Sequence, residues 1–332
     1  MQISIWDHAK YVTDKANPRP EMRANLKRLA DAGVKRVLVY WPYLEDHDGY
    51  LEAAAEAGLQ VEPWIHPERM MKHPPRRVLT PEQLQAMRRN LDIELRFPCP
   101  NHPEYRRQVL AIAGDIAAKY GDRLHGLHLD YFRSANFICC LDYPCGCEAC
   151  RAERRRYFGF EMPSETDLKQ PWYIYKETAR LAAHLHALVS DLHALAARKG
   201  LNLSMAARTN YANSMDIFAK PVWGLGPATL EGQDWTQWAD DGIIDEIIPM
   251  NYHPVLERFA DNLDAHLRLL AGTRVQYTSG VGVYSSMGVV PPDDVRARLK
   301  MLRDRGVQGA CLFNGAPFTD EYLQVVREFA QA

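Results

Sequence analysis

Residues 122–150, DRLHGLHLDYFRSANFICCLDYPCGCEAC, contain the pattern that decides how the rest of the chain is read. The apolar run from Leu124 to Leu129 has the length and alternation of a buried strand. It delivers a carboxylate, Asp130, to its C-terminal end, with Tyr131, Phe132 and Arg133 directly behind. A tight cluster of Cys145, Cys147 and Cys150 closes the stretch. Just upstream, Tyr120-Gly121-Asp122 ends a helical segment. Glycine suits such an end because it enters the left-handed conformation at little cost.

The same unit recurs along the chain. A glycine-terminated helical segment leads into an apolar run at Gly33 (VKRVLVYW), Gly58 (LQVEPWIH), Gly200 (LNLSMAARTN), Gly242 (IIDEIIPMNY), Gly272 (TRVQYTSGVG) and Gly306 (VQGACLFNG). With an opening strand at 2–6, the expected strands are 36–41, 60–65, 124–130, 201–207, 244–250, 274–279 and 308–313. Strands that alternate with helices call for a parallel sheet, and eight such units call for a closed (β/α)₈ TIM barrel. An open doubly wound sheet would carry a Gly-rich phosphate turn after its first strand, and Trp6-Asp7-His8 is not one. Long excursions follow strands 3, 4 and 5, at 67–103, 134–164 and 210–232, the first with a short helix expected at 81–89. All three fall on the C-terminal side, where barrel enzymes keep their sites. No linker or low-complexity tract divides the chain, so residues 1–332 are expected to form one barrel domain.

Composition narrows the function classes. The 332 residues are 47% hydrophobic and 25% charged, with a net charge of −2, which favours neither nucleic acid nor an anionic membrane as partner. No run approaches the ~18 apolar residues of a membrane span, and the N-terminus reads as a first strand rather than a signal peptide. The seven cysteines are an odd number, which argues against a secreted disulfide framework and for a cytoplasmic location.

Polar and aromatic side chains gather at the expected strand ends: Asp7, His8, Trp41, His66, Asp130, Arg208, Asn210, Asn251, Tyr252, Tyr284 and Asn314. Aromatic faces beside carboxylates and amides suit a sugar ring, which stacks its C–H face and hydrogen-bonds its hydroxyls. A carbohydrate substrate is therefore expected. Asp130 shares parity with His128, so both should point into the barrel if Leu127 and Leu129 face the helices. A buried carboxylate needs a partner, and Arg133, His128 and Tyr131 are within reach along the chain.

Glycoside hydrolysis takes two carboxylates, about 5–10 Å apart. Strand 7 offers none. The candidates are Glu231 and Asp234 before strand 6, Asp7 on strand 1, and Glu45, Asp46 and Asp48 after strand 2. Asp234 precedes a Trp-rich helix and reads as its N-cap. Glu231 has no evident structural task and is the first choice.

The spacing C-x-C-x-x-C at 145, 147 and 150 brings three thiolates into one turn, and Cys99 can supply a fourth. Four thiolates make a closed tetrahedral zinc site, structural because no coordination position stays open. Reduced cysteines without metal, or a disulfide through Cys139 and Cys140, are the alternatives. No organic cofactor is implied.

The segments CPNHPEYRRQVL (99–110), GLHLDYFR (126–133), QDWTQW (233–238) and GIIDEIIPMNY (242–252) resemble the glycosyl-hydrolase-like family 10 proteins. The resemblance implies a (β/α)₈ glycosidase-type barrel with Asp130 in the catalytic position, and it implies no substrate. The cysteine spacing is similar to the zinc cluster of family 42 β-galactosidases, where one upstream cysteine joins a C-x-C-x-x-C after strand 4. Two other readings stay open. In one, His8, His66, His128 and His253 join Asp130 around a catalytic metal, as in metal-dependent hydrolase barrels. In the other, the barrel binds carbohydrate without turning it over.

Overall fold

The computed structural model describes residues 1–8, 18–85, 98–134, 144–209, 231–285, 288–314 and 318–330. Eight parallel strands close a barrel: β1 (Gln2–Asp7), β2 (Val34–Tyr40), β3 (Gln60–Ile65), β4 (Gly126–Leu129), β5 (Asn202–Ala207), β6 (Glu246–Pro249), β7 (Gln276–Ser285) and β9 (Gly309–Asn314). Each pairs in register with its neighbour, β6 passes to β7 and β7 to β9, and β9 returns to β1 through Ile3↔Ala310 and Ile5↔Leu312. The short strand β8 (Gly288–Val289) only folds back antiparallel on the end of β7. The TIM barrel expected from the repeat is the observed fold.

Around it lie α1 (Pro18–Asp31), α2 (His47–Glu56), α3 (Pro67–Met70), α4 (Pro103–Tyr120), α5 (Glu148–Phe158), α6 (Pro171–Arg198), α7 (Trp235–Asp240), α8 (Leu256–Leu269), α9 (Pro292–Asp304) and α10 (Asp320–Ala330). Residues 81–85 are also helical, and the rest of the helix expected at 81–89 lies outside the described residues. Gly33 and Gly306 end their helices at φ 95° and 73°, in the conformation only glycine adopts cheaply. Gly121 departs from that expectation, at φ −48°, because α4 runs on into a 3₁₀ turn there. Among the described residues no helix is long and apolar enough to cross a membrane.

Alternation along each strand sorts the side chains into two cores. Ile3, Ile5, Val37, Val39, Leu127, Leu129, Leu203 and Met205 face the helices in the main hydrophobic layer. Trp6, Leu38, Tyr40, Trp64, Ala206, Ile248 and Cys311 fill the barrel itself. Below them the interior is ionic. Arg36, 1% exposed, bonds Glu62 at 2.9 Å and Glu246 at 2.5 and 2.8 Å, while its Nε reaches Ser4 Oγ at 3.1 Å. Ser204 and Thr278 donate to Glu62 and Glu246 respectively, so every oxygen of the two carboxylates has a partner. A buried charge is tolerated only when paired and hydrogen-bonded, and this layer meets both conditions.

Most strand bounds shift by one or two residues from expectation, and two ends bear on the mouth of the barrel. β2 stops at Tyr40 rather than Trp41, because Trp41-Pro42-Tyr43 turns into a 3₁₀ helix and Pro42 has no N–H for the ladder. β7 extends past 279 to Ser285. Its bare glycine face is needed, since a Cβ on Gly282 would lie 2.8 Å from Tyr252 Cβ.

Candidate active site and cysteine centre

At the C-terminal mouth the two proposed carboxylates meet around one guanidinium. Asp130 directly follows β4 and is 3% exposed; Glu231 lies in the segment before α7 and is 2% exposed. Arg133 places Nη1 3.6 Å from Asp130 Oδ1 and Nε 3.7 Å from Glu231 Oε2. Those paths hold the two oxygens within about 10 Å of each other, a bound that admits either direct attack or an intervening water. Arg208 adds a bond to Glu231 Oε1 at 3.1 Å. The Glu231 carbonyl accepts the Ser134 N–H at 2.7 Å, and Gln233 Oε1 accepts the Arg208 N–H at 2.9 Å. The loops after β4, β5 and the 231–235 segment are thus stitched together at the site.

Burial pushes the Asp130 carboxyl upward, against the pull of Arg133, the Tyr131 N–H, Trp64 and Arg208. Burial also raises Glu231, opposed by Arg208 and Arg133. A carboxyl raised in this way is better suited to hold and donate a proton than an exposed one.

Tyr131 has φ 58°, the one positive value outside glycine among the described residues. That conformation costs an L-residue roughly 1–2 kcal/mol. It turns the Tyr131 N–H onto Asp130 Oδ1 at 2.6 Å and lays its ring on His66, with centroids 4.1 Å apart. The Arg133 guanidinium sits 4.3 Å from the same ring. Strain of this kind persists where the surroundings over-determine it, and functional sites are where it collects.

The floor of the mouth is aromatic. Tyr40, Trp64, His8, Tyr252 and Phe313 meet edge-on or stacked, with Tyr252 lying 4.8 Å over Phe313. His8, Tyr131, Tyr252 and Phe313 are half-buried and offer ring surface to the mouth. Tyr40, Trp64 and Phe313 escaped the sequence reading. The signal was their parity with Leu38, Glu62 and Cys311 along the inward face.

Other candidates sit elsewhere. Asp7 faces the helix layer and accepts the Tyr50 hydroxyl at 2.7 Å. Trp41 packs between His47 and Tyr120, at 4.2 and 5.4 Å, behind the barrel wall. Asn251 spends its amide on Phe259 O (2.9 Å) and Asn262 (3.0 Å), and Tyr284 packs on Tyr322 of α10. Asp46 and Asp234 cap α2 and α7, and Asp48 pairs with Arg123. Asn210, Cys139 and Cys140 lie outside the described residues, as does the Asn314 side chain.

His128 points into the barrel with both nitrogens engaged. Trp6 donates to Nε2 at 2.8 Å, which leaves Nδ1 to donate to Ser204 Oγ at 2.8 Å. Burial and the Arg36 charge drive its pKa well below the usual histidine range. His66 is likewise held neutral, pushed down to about 3 by burial and by Arg133 and Arg69. The unfolded chain protonates near the ordinary value of about 6.5, so His66 contributes full stability above that pH and loses it as pH falls toward 3. At pH 5 its share of the loss is about 2 kcal/mol. His66→Gln should flatten the pH dependence of the urea midpoint between pH 6.5 and 4 relative to wild type; an unchanged slope would contradict the assignment.

Four buried cysteines form a second centre. The Sγ atoms of Cys99, Cys145, Cys147 and Cys150 lie within 4.8 Å of one another, with Cys99 3.5 Å from Cys150 and 3.8 Å from Cys147. A tetrahedral thiolate site with bonds of about 2.3 Å sets its sulfurs about 3.8 Å apart. The cluster can therefore bind a metal ion. Cations surround it: Arg77 faces Cys145, Arg154 donates to the Cys145 carbonyl at 2.7 Å, and Arg180 faces Cys150. Such a shell suits four thiolates around a divalent ion, which together carry excess negative charge. Among the described residues this is the one group of three or more potential ligands at ligating distance. The histidines at the mouth form no such group with Asp130.

No protein-family model matches the chain, and no curated protein matches its sequence. Solved structures do match its fold. The PgaB (BpsB) glycoside hydrolase domain from Bordetella bronchiseptica superposes with a TM-score of 0.72 over 99% of each chain, at 11% identity. A class V chitinase from Pseudomonas fluorescens Pf-5 gives 0.58 over 99% of each chain, at 8% identity. The spore cortex-lytic enzyme SleL from Bacillus megaterium QM B1551 gives 0.56, covering 98% of this chain and 73% of its own, at 8% identity. At such identities the likeness establishes the barrel; the first of these neighbours is a glycoside hydrolase domain and the second a chitinase.

Proposed function

We propose that this barrel hydrolyses a glycosidic bond, with Asp130 and Glu231 as its carboxylate pair. The observation that carries the reading is the meeting of these two buried acids, 101 positions apart by their numbering, on the single guanidinium of Arg133 at the mouth. A sugar ring would stack on Tyr131, Tyr252 and Phe313 and so lie beside the pair. One carboxyl then gives its proton to the glycosidic oxygen as the C–O bond breaks. The other, ionised, attacks the sugar carbon or takes a proton from the water that does. Arg133 and Arg208 stabilise whichever acid is ionised at each stage, and neutral His66 adds no competing charge. The named activities of the structural neighbours agree with this chemistry, as does the resemblance to glycosyl-hydrolase-like family 10. The experiment is a screen of aryl glycosides and polysaccharides for released phenol or new reducing ends. Release by the wild type that persists with a mild chelator present supports the reading, and activity only on added divalent metal would favour a metal hydrolase.

We assign zinc to the four-cysteine centre, as a structural cross-link between the loop holding Cys99 and the turn holding the other three. A reducing, cytoplasmic setting keeps such thiols available. Purified protein should contain about one zinc per chain, and Cys147→Ser should lose it together with several degrees of thermal stability. Metal-free protein from a reducing preparation, by elemental analysis, would refute the assignment.

A further inference from the structure

Arg77 connects the cysteine centre to the turn that carries Arg133. Val78 gives both of its backbone groups to the cysteine turn: its N–H lies 3.4 Å from Cys145 Sγ, and its carbonyl accepts the Gly146 N–H at 2.6 Å. The preceding residue, Arg77, donates Nη1 to the Ser134 carbonyl at 3.3 Å. Ser134 is 3% exposed, and its own N–H is held by the Glu231 carbonyl at 2.7 Å. The residue is therefore clamped at both ends, by Arg77 on one side and Glu231 on the other. It directly follows Arg133, whose guanidinium spans the two acids.

We propose that Arg77 is a positioning residue that ties the Arg133–Ser134 turn, and with it Glu231, to the cysteine centre. The inference rests on the glycosidase and metal assignments, and the exchange of Ser134 in Arg77→Met tests the coupling without any substrate. Arginine suits the role because a long planar fork can reach a carbonyl while its charge stays near the thiolates. The Cys99 N–H bonds the Pro75 carbonyl at 2.7 Å, so both ends of the 75–78 segment are anchored at the centre. A loaded centre then holds Arg77 in place, and loss of the ion slackens the turn before it disturbs the barrel strands.

Hydrogen exchange by mass spectrometry, following peptides that contain Ser134, reads this without any substrate. Arg77→Met should raise exchange at Ser134 by about tenfold while zinc content and the exchange of β4 and β5 stay at wild-type levels. Arg77→Lys should restore part of the protection. Removing the metal from wild type should give the same local acceleration. On any glycoside that is turned over, Arg77→Met should lower kcat with little change in KM. Unchanged exchange at Ser134 in Arg77→Met overturns the proposal. So does an Arg77→Met protein that arrives without metal, because Arg77 would then belong to the centre itself. If no glycoside is cleaved, the glycosidase reading fails while the exchange result still decides the coupling.

Discussion

Replacing Arg36 by Met should destabilise the fold by roughly 3–5 kcal/mol, the usual cost of breaking a buried ion pair. For a chain of this size that corresponds to a fall of roughly 4–7 °C in melting temperature. The reason lies in the interior layer, where one guanidinium serves two carboxylates that are wholly buried, Glu62 and Glu246. Without it both acids keep hydroxyl donors but lose the guanidinium that bonds them. Burial already raises Glu62, and Arg36 is the chief influence lowering it. In the variant the folded-state value of Glu62 rises further. A raised carboxyl contributes stability that is present below its unfolded pKa, near 4.3, and lost as pH climbs. The deficit against wild type should therefore be largest at neutral pH and shrink as pH falls toward about 4.5. Glu62→Gln with Glu246→Gln in the same chain should recover most of the loss. Denaturant midpoints across pH check both statements, and a deficit that does not vary with pH would show that lost packing, not charge, is responsible.

How much of this was legible beforehand follows from the range of the interactions. The barrel was readable because each unit is local: a helix, a glycine at its end, an apolar run. The inward direction of His128 and Asp130 was readable for the same reason, since alternation with Leu127 and Leu129 is a near-neighbour rule. The cysteine turn is local too. Trp41 shows the limit of such rules. A strand end misplaced by one residue moves the choice from Tyr40, inside the barrel, to a side chain packed on His47 and Tyr120 outside it. Asn251 lies on outward-facing parity in the same way, whereas Tyr284 shares the inward parity of Thr278 and Gly280 and is turned onto Tyr322 by a register shift after Gly282. The ionic layer was out of reach for a different reason. Arg36, Glu62 and Glu246 lie on three different strands, and only barrel closure and register show that they are one another's partners. Glu231 is a candidate reached by elimination of the other acids. Its neighbours Arg208 and Ser134 come from the loops after β5 and β4, which no spacing rule connects.

The carboxylate pair carries the larger expected effect. Asp130→Asn preserves the shape of the side chain and its acceptance of the Tyr131 N–H, but it can neither donate a proton as an acid nor act as a carboxylate. Loss of an essential proton-transfer or nucleophilic group should lower turnover by about 10³-fold or more. Glu231→Gln should do the same. Double substitution should add little further, because residues that act as one unit do not contribute independently. Binding should survive in both single variants, since the aromatic floor of Tyr131, Tyr252 and Phe313 is left in place. The pH profile of wild-type kcat/KM should be bell-shaped, one limb for the acid that must keep its proton and one for the acid that must lose it.

The most direct measurement is the initial rate of glycoside cleavage by wild type, Asp130→Asn and Glu231→Gln, each with its melting temperature and its affinity for a sugar product. The account predicts that both variants melt close to wild type, still bind the sugar, and lose at least about 10³-fold in rate. An Asp130→Asn protein that keeps most of the wild-type rate would contradict it.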